Sequence, residues 1–202
     1  VLYLGMDLKK FDEYKTKEQL QGPPLILWNH RWEHDKNPEG FFNVLELLSN
    51  NGVEFQLAVL GKDFKKELPC FSQARKKLKK HIVQFGFIKS FEEYAKWLWK
   101  ADILPVTSNQ DFFGGSIMEA VYCQTTPLFP QRLTYPELFK IKDNPQLFYT
   151  CQSELLEQLT TIIQHNSGLR QVHLQLIAEC YDWSNMKNVY DRELMKLQWS
   201  NF

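Results

Sequence analysis

The sequence lacks long apolar runs, a net charge and clustered cysteines, and each absence excludes a class of protein. No run approaches the roughly 20 apolar residues that a membrane-spanning helix needs. The opening stretch VLYLGMDLKKFDEY has no charged leader before a long apolar core. We therefore expect neither a secreted nor a membrane protein. The 24 basic and 24 acidic residues cancel, so no global field recruits nucleic acid or membrane, although a local patch can.

The cysteines are few and far apart. The four thiols form no CxxC pair and no His/Cys cluster at zinc-ligand spacing; they are Cys70, Cys123, Cys151 and Cys180. We interpret them as reduced thiols, which favours a cytoplasmic protein.

What the sequence does contain is enough apolar material for one core. The 202 residues are 44% hydrophobic and 14% aromatic, which favours a single globular domain. The chain opens on Val1 without an initiator methionine, and we expect it to be a piece of a longer protein.

Short apolar runs alternate with helical patterns along most of the chain. Six runs predict strands buried on both faces, at residues 24–29, 54–61, 81–86, 101–107, 126–130 and 146–150. Helix starts lie between them, at Asn37 before Pro38 and at Ser90 with Glu93 in a capping box. Strands alternating with crossover helices predict an α/β fold with a doubly wound, Rossmann-like parallel sheet of six strands.

The alternation ends after the sixth strand, and three successive helical patterns follow it. We divide the chain into an entering linker at 1–22, a Rossmann-like domain at 23–183 and a C-terminal helix at 184–202. The linker assignment depends on the polar character of the segment before the Gly–Pro–Pro at 22–24.

The stretch QDFFGGSIMEA indicates a ligand site at the carboxyl end of the fourth strand. Gly114 and Gly115 precede a helix that we start at about Ser116, where free backbone N–H groups and the helix dipole favour an anion such as phosphate. Asp111 and Glu119 bracket that position, and carboxylates there suit neutral sugar or ribose hydroxyls. A phosphorylated sugar compound satisfies every group. The alternative is a tight glycine turn followed by a solvated Glu119.

The loop after the first strand, WNHRWEHDKNPEG, supplies two cations. Arg31 can bind two phosphate oxygens at once and Lys36 acts as a point charge, so together they can neutralise a diphosphate without a metal. The alternative is a polar surface loop in which these cations pair with Glu33 or Asp35.

Two further features of the sequence have both a functional and a plain interpretation. His30 and His34 are four residues apart, but no third ligand is near in the sequence, so we expect no zinc site. Residues 62–80 carry eight lysines or arginines against two acids. They form either a solvated helix terminus or a surface for RNA phosphates.

Taken together, these motifs resemble the C-terminal, donor-binding half of a retaining glycosyltransferase of the GT-B fold and the family 4 type. That family carries an arginine and a lysine five positions apart after the first strand, which Arg31 and Lys36 match. DFFGGSIME matches its paired acids with an FG after the first, and two later features match at 136–137 and at Trp183. More narrowly, LILWNHRWEHDKNPEGFF, DFFGGSIMEAVYC and YPELF resemble the tRNA-queuosine mannosyltransferase group.

The resemblance implies a reaction and roles for these residues. It implies transfer of mannose from GDP-mannose to queuosine in tRNA with retention, an N-terminal acceptor domain in the full-length protein, and no cofactor or membrane. Arg31 and Lys36 then bind the diphosphate, Asp111 and Glu119 hold donor hydroxyls, and backbone groups near 87–88 contact the base. No Asp-x-Asp motif is present, so we expect no metal requirement. The implied donor contacts are Gly114, Gly115 and Ser116 at the anion site, and Phe87 and Ile88 at the base.

Two departures and two rival functions stay open. Asp111 replaces the usual first glutamate and shortens the reach to the sugar by one methylene, and Gln124 replaces a glycine after the following helix. The rivals are a UDP-sugar-dependent family 4 enzyme with a lipid or protein acceptor, and a non-catalytic nucleotide- or RNA-binding domain.

Overall fold

The fold is a parallel sheet covered by helices on both faces. The computed structural model describes residues 2–16, 21–62, 68–166 and 168–199, with side chains up to residue 196. The strands are β1 (Leu25–Trp28), β2 (Gln56–Leu60), β3 (Ile82–Gly86), β4 (Ile103–Pro105), β5 (Thr126–Pro130) and β6 (Phe148–Tyr149). The helices are α1 (Pro38–Asn50), α2 (Pro69–Lys77), α3 (Phe91–Lys100), α4 (Gly115–Tyr122), α5 (Tyr135–Leu138), α6 (Gln152–His165), α7 (Val172–Glu179) and α8 (Trp183–Trp199).

The sheet runs in the order β3-β2-β1-β4-β5-β6, and all its paired strands are parallel. All six predicted strands and the doubly wound α/β class are therefore confirmed. The strand order reverses between β1 and β4, and in an open parallel sheet ligands bind at such a switch point, beyond the carboxyl ends of the strands.

Alternating side chains of β1, β2, β4, β5 and β6 belong to two separate cores. The edge strand β3 differs from the prediction of burial on both faces, because Val83 is 44% exposed and its partly buried side chains pack against one core. In β1, Leu25 and Leu27 pack toward the face that carries α3, α4 and α7, whereas Ile26 and Trp28 pack toward the face that carries α1, α2 and α6. Because successive side chains of a strand point to opposite faces, a sheet buried on both sides needs unbroken apolar strands. This is why the predicted strands read as continuous apolar runs.

The predicted helix starts are also confirmed by their caps. The side chain of Asn37 accepts a hydrogen bond from the Gly40 amide at 3.1 Å, and Ser90 accepts from the Glu93 amide at 3.4 Å. Each cap satisfies a backbone donor that has no intrahelical partner.

The first residues, interpreted above as an entering linker, are packed against the domain. Leu8 and Phe11 are fully buried, and residues Lys9–Tyr14 form a 3-10 helix beside α3. The buried carboxylate of Asp182 accepts hydrogen bonds from the backbone of Leu8 and Lys9 at 2.9 and 3.1 Å, and thereby ties the segment to the start of α8. The division of the chain at residue 22 stays a prediction.

None of the helices within the described residues is both long enough and apolar enough to cross a membrane.

Candidate functional site

The loops that follow β1 and β4 are bound to each other. The backbone carbonyl of Asp35 accepts hydrogen bonds from the amides of Asn109 and Gln110 at 2.8 and 3.2 Å. The hydroxyl of Thr107 donates to the carbonyl of Lys36 at 3.0 Å. These backbone contacts join two loops that are about 70 residues apart in sequence, and they bring the predicted cations close to the predicted acids.

Lys36 is buried where the two loops meet. Only 8% of the residue is exposed, and its Nζ lies 2.9 Å from the carbonyl oxygen of Gln110, 3.2 Å from Oδ2 of Asp35 and 3.4 Å from Oδ2 of Asp111. Tyr135 donates its hydroxyl to the same Asp111 oxygen at 3.2 Å. The ammonium is thus held between two carboxylates, which compensates the cost of removing it from water.

Arg31 lies at the open side of the same cleft. Its guanidinium pairs with Glu33 at 3.0 Å and with Asp35 at 3.7 Å, and its side chain is 55% exposed. Both ion pairs of the alternative interpretation are therefore present, and an exposed pair of this kind contributes little stability. Arg31, Lys36 and Asp111 line one cavity of about 490 Å³. Their role toward a diphosphate stays a prediction.

The glycine pair forms the amino end of α4. Gly114 is the N-cap residue with φ +76°, and a Cβ at that position would lie 2.9 Å from Cδ1 of Ile117. The left-handed backbone conformation favours glycine, and a Cβ would also displace the end of the Ile117 side chain. The helix begins at Gly115, one residue before the predicted Ser116. The first amides of a helix have no intrahelical acceptor, so this end can receive an anion.

His30 is buried directly behind that helix end. Its ring nitrogen Nδ1 lies 3.0 Å from Oγ of Ser116, and 2% of the residue is exposed. Burial and the nearby charge of Lys36 lower the pKa of His30 to about 4, so the imidazole is neutral near pH 7. Nε2 is buried without a hydrogen-bond partner among the described residues.

Glu119 lies apart from Asp111, between α3 and α4. Its Oε2 accepts a hydrogen bond of 2.7 Å from the hydroxyl of Tyr94. Burial raises the pKa of Glu119, whereas the Tyr94 bond and the charge of Lys10 act in the opposite direction. Glu119 does not line the cavity that holds Arg31 and Lys36. It is a partly enclosed side chain with a defined partner, so the solvated alternative does not describe it.

The two residues predicted near the base, Phe87 and Ile88, follow β3 and line a different cavity. Phe87 is 54% exposed and Lys62 lies 4.4 Å from its ring centroid, whereas Ile88 is partly buried against the core. The structure places both at the carboxyl edge of the sheet, outside the cleft of Arg31.

Among the described residues, no group of three or more His, Cys, Asp or Glu side chains is arranged to hold a metal ion.

Sequence reasoning missed several residues that shape this region. Asn29 donates its side-chain amide to the carbonyl of Ser116 at 2.7 Å, and Tyr94 orients Glu119. The packed N-terminal segment also reaches the site, because Met6 is the nearest side chain to a Cβ built on Gly115, at 3.7 Å. A polar Asn–His pair directly after a buried strand was the available signal for Asn29. No local sequence pattern indicated that residues 2–14 approach the site.

Comparison with known proteins gives one family and a consistent fold. A model of the family described as glycosyl transferases group 1 matches residues 10–173. The chain is 32% identical over 166 residues to the tRNA-queuosine alpha-mannosyltransferase of Drosophila melanogaster, with 79% of this chain and 43% of that protein covered. The chain thus spans less than half the length of this curated relative.

Two solved structures show the same fold at low sequence identity. Sucrose-phosphate synthase from Thermosynechococcus elongatus superposes with a TM-score of 0.76 at 15% identity, covering 98% of this chain and 52% of that one. The C-terminal domain of a glycosyl transferase group 1 family protein from Francisella tularensis gives 0.59 at 17% identity, covering 94% and 96%.

Proposed function

The chain belongs to the group 1 glycosyl transferases, and from that membership we propose that it is the donor-binding half of a retaining enzyme that transfers mannose from GDP-mannose to queuosine in tRNA. The observation that carries the donor part is the placement of Lys36 and Arg31 with Asp111 in one cleft at the switch point of the sheet. The name of the 32% identical relative supports mannose and queuosine-tRNA.

In this proposal the charges in the cleft exchange partners when the donor binds. Arg31 turns from Glu33 and Asp35 toward the departing diphosphate, whose negative charge grows as the glycosidic bond breaks. Lys36 exchanges Asp35 for the diphosphate and keeps its contact with Asp111. The amino end of α4 adds its backbone amides to the same anion. Positive groups at a leaving group lower the barrier because they are worth more in the transition state than in the ground state.

The two acids then bind neutral groups of the donor. Lys36 and Tyr135 both use Oδ2 of Asp111, which leaves Oδ1 for a mannose hydroxyl. Glu119, on α4 and away from that cleft, accepts hydrogen bonds from the ribose hydroxyls. Tyr94 supports this role because its hydrogen bond holds the Glu119 carboxylate in one orientation.

We expect the chain to bind the donor and to transfer no mannose by itself. Glycosyl transfer needs an acceptor site, and in this proposal an N-terminal domain of the full-length protein supplies it. The acceptor would be tRNA, and the full-length enzyme would act in the cytoplasm. Turnover of GDP-mannose onto queuosine-containing tRNA by these 202 residues alone would contradict the expectation that another domain supplies the acceptor site.

Calorimetric titration of the chain with GDP, UDP, GDP-mannose and UDP-glucose tests the proposal. GDP and GDP-mannose should bind and the uridine compounds should bind at least tenfold more weakly. Lys36→Met keeps the length of the stem but removes the charge, and it should weaken both guanosine ligands. Preference for UDP-glucose would favour the UDP-sugar alternative, and binding of none of the four would favour a non-catalytic module.

A further inference from the structure

A groove runs between the edge strand β3 and helix α3, outside the cleft of Arg31 and Lys36. It has a volume of about 500 Å³ and extends from Phe87 at the carboxyl edge of the sheet to Trp97 and Lys100 on α3, past Gln84 of β3. β3 ends the sheet on this side, so the groove opens on the flank of the domain. The base contacts that the family resemblance implies use only the backbone at its end, near Phe87 and Ile88.

The groove carries an excess of positive charge. Lys89, Lys96 and Lys100 line it, against the single acid Glu93. Lys96 pairs with Glu92, but Lys89 and Lys100 form no ion pair with any described residue. The two ammonium groups are therefore available to bind an anionic ligand.

Aromatic rings lie among these lysines. Phe87 is 54% exposed, with the ammonium of Lys62 4.4 Å from its ring centroid. Trp97 lies half-buried beneath Lys100, whose Nζ is 5.9 Å from the indole centroid. Accessible rings between lysines are the pattern that binds single-stranded nucleic acid, because bases stack on the rings while cations contact the phosphates. An acidic protein or a lipid surface needs the charge but not the rings.

We propose that this groove binds a single-stranded segment of RNA, with phosphates at Lys89 and Lys100 and a base against Phe87 or Trp97. The inference rests on the proposed function in one respect, the identity of the acceptor as tRNA. The groove would hold part of that tRNA beside the donor site, so that the modified nucleoside reaches the transferred sugar from a nearby strand.

The basic stretch noted in the sequence is a weaker candidate in the structure. Lys77 pairs with Glu46 at 2.8 Å and Lys80 with Glu54 at 3.2 Å, and residues 63–67 lie outside the described residues. Lys76 and Lys79 are exposed without an ion pair to any described residue. They match Lys89 and Lys100 in charge and lie outside the groove, which makes them the control.

Binding of fluorescently labelled, queuosine-containing tRNA to the chain, followed by anisotropy between about 50 and 200 mM salt, tests the proposal. The double variant Lys89→Gln/Lys100→Gln should bind tRNA about tenfold more weakly or worse at 100 mM salt. The slope of log affinity against log salt should fall by about 1.4, because a complex that has lost two phosphate contacts to a single strand releases fewer counterions. Lys76→Gln/Lys79→Gln should stay within about twofold of the parent chain.

Two parallel measurements separate the possible failures. Calorimetry with GDP-mannose should give the parent affinity for both double variants, which checks their folding and the donor site. Vesicles containing phosphatidylserine test a membrane as the partner. Four results would overturn the groove assignment. The first three are an equal loss of tRNA affinity in the two double variants, no loss in either variant, and no tRNA binding by the parent chain. The fourth is vesicle binding as strong as tRNA binding that is likewise lost in Lys89→Gln/Lys100→Gln. If GDP-mannose failed to bind while tRNA binding still depended on Lys89 and Lys100, the proposed donor would be wrong and the groove would stand.

Discussion

Protonation of His30 should couple the stability of this chain to pH in the mildly acidic range. The folded-state pKa is about 4 because the ring is buried beside Lys36, whereas an imidazole in an unfolded chain titrates near 6.5. Between these values the unfolded state binds more protons than the folded state, so stability falls as pH falls. At about 1.36 kcal/mol per pKa unit, the contribution of His30 to this loss is about 2 kcal/mol at pH 5 relative to pH 7.5.

Urea unfolding of the parent chain and of His30→Asn at pH 7.5 and pH 5.0 isolates this contribution. Asparagine places an amide near the position of Nδ1, where it can still meet Ser116, and it does not titrate. The parent should lose about 2 kcal/mol more than the variant over this interval, while all other titrating groups cancel between the two chains. His165→Asn removes an exposed imidazole from α6 and serves as the matched control, which should follow the parent.

Equal pH dependence in the parent and in His30→Asn would refute the reasoning. It would mean that the imidazole is hydrated or paired in solution in a way that keeps its proton affinity near that of the unfolded chain. A larger loss in the variant than in the parent would reverse the sign and would require a stabilising imidazolium in the folded state.

Three further predictions concern the candidate site. Arg31→Ala should weaken GDP binding by about 2 kcal/mol or more in calorimetry, because a charge-assisted bidentate contact is lost, and EDTA should change nothing; a strict need for magnesium or manganese would count against the two-cation role. Gly114→Ala should lower the free energy of unfolding in urea by about 2 kcal/mol, from its left-handed backbone and the short contact. Gly52→Ala, at φ +73° in open space, should cost only about 1 kcal/mol, and equal costs would show that the contact is unimportant. Glu119→Gln should weaken the binding of GDP and of GDP-mannose alike, by about tenfold for roughly 1.4 kcal/mol. Asp111→Asn should weaken the binding of GDP-mannose alone. An equal loss of affinity for both ligands in Asp111→Asn would contradict the assignment of ribose to one acid and sugar to the other.

The elements themselves could be predicted because their signals are local. Leu25 to Trp28 form an unbroken apolar run, and only a strand buried on both faces explains such a short run between turn signals. Asn37 and Ser90 identify helix starts because a cap depends on the two or three residues that follow it. Even the amino end of α4 lay within one residue of its predicted position.

The pairing of side chains could not be predicted in the same way. The sequence placed Arg31 and Lys36 in one loop and Asp111 in another, and parallel topology implied that both loops lie at the same edge of the sheet. It did not show that Lys36 is buried against Asp111 and Asp35. That contact depends on hydrogen bonds to the carbonyls of Asp35 and Lys36 from a loop about 70 residues away in sequence.

Hydrophobic period and neighbours along the chain were enough to predict the six strands, three helix starts and the residue types available for chemistry. Contacts between distant segments could not be predicted in this way: Tyr94 holds Glu119, His30 lies uncharged behind the end of α4, and residues 2–14 pack into the core. The physical reason is that burial, and with it the strength of each charge and hydrogen bond, is set by groups brought together from distant parts of the chain.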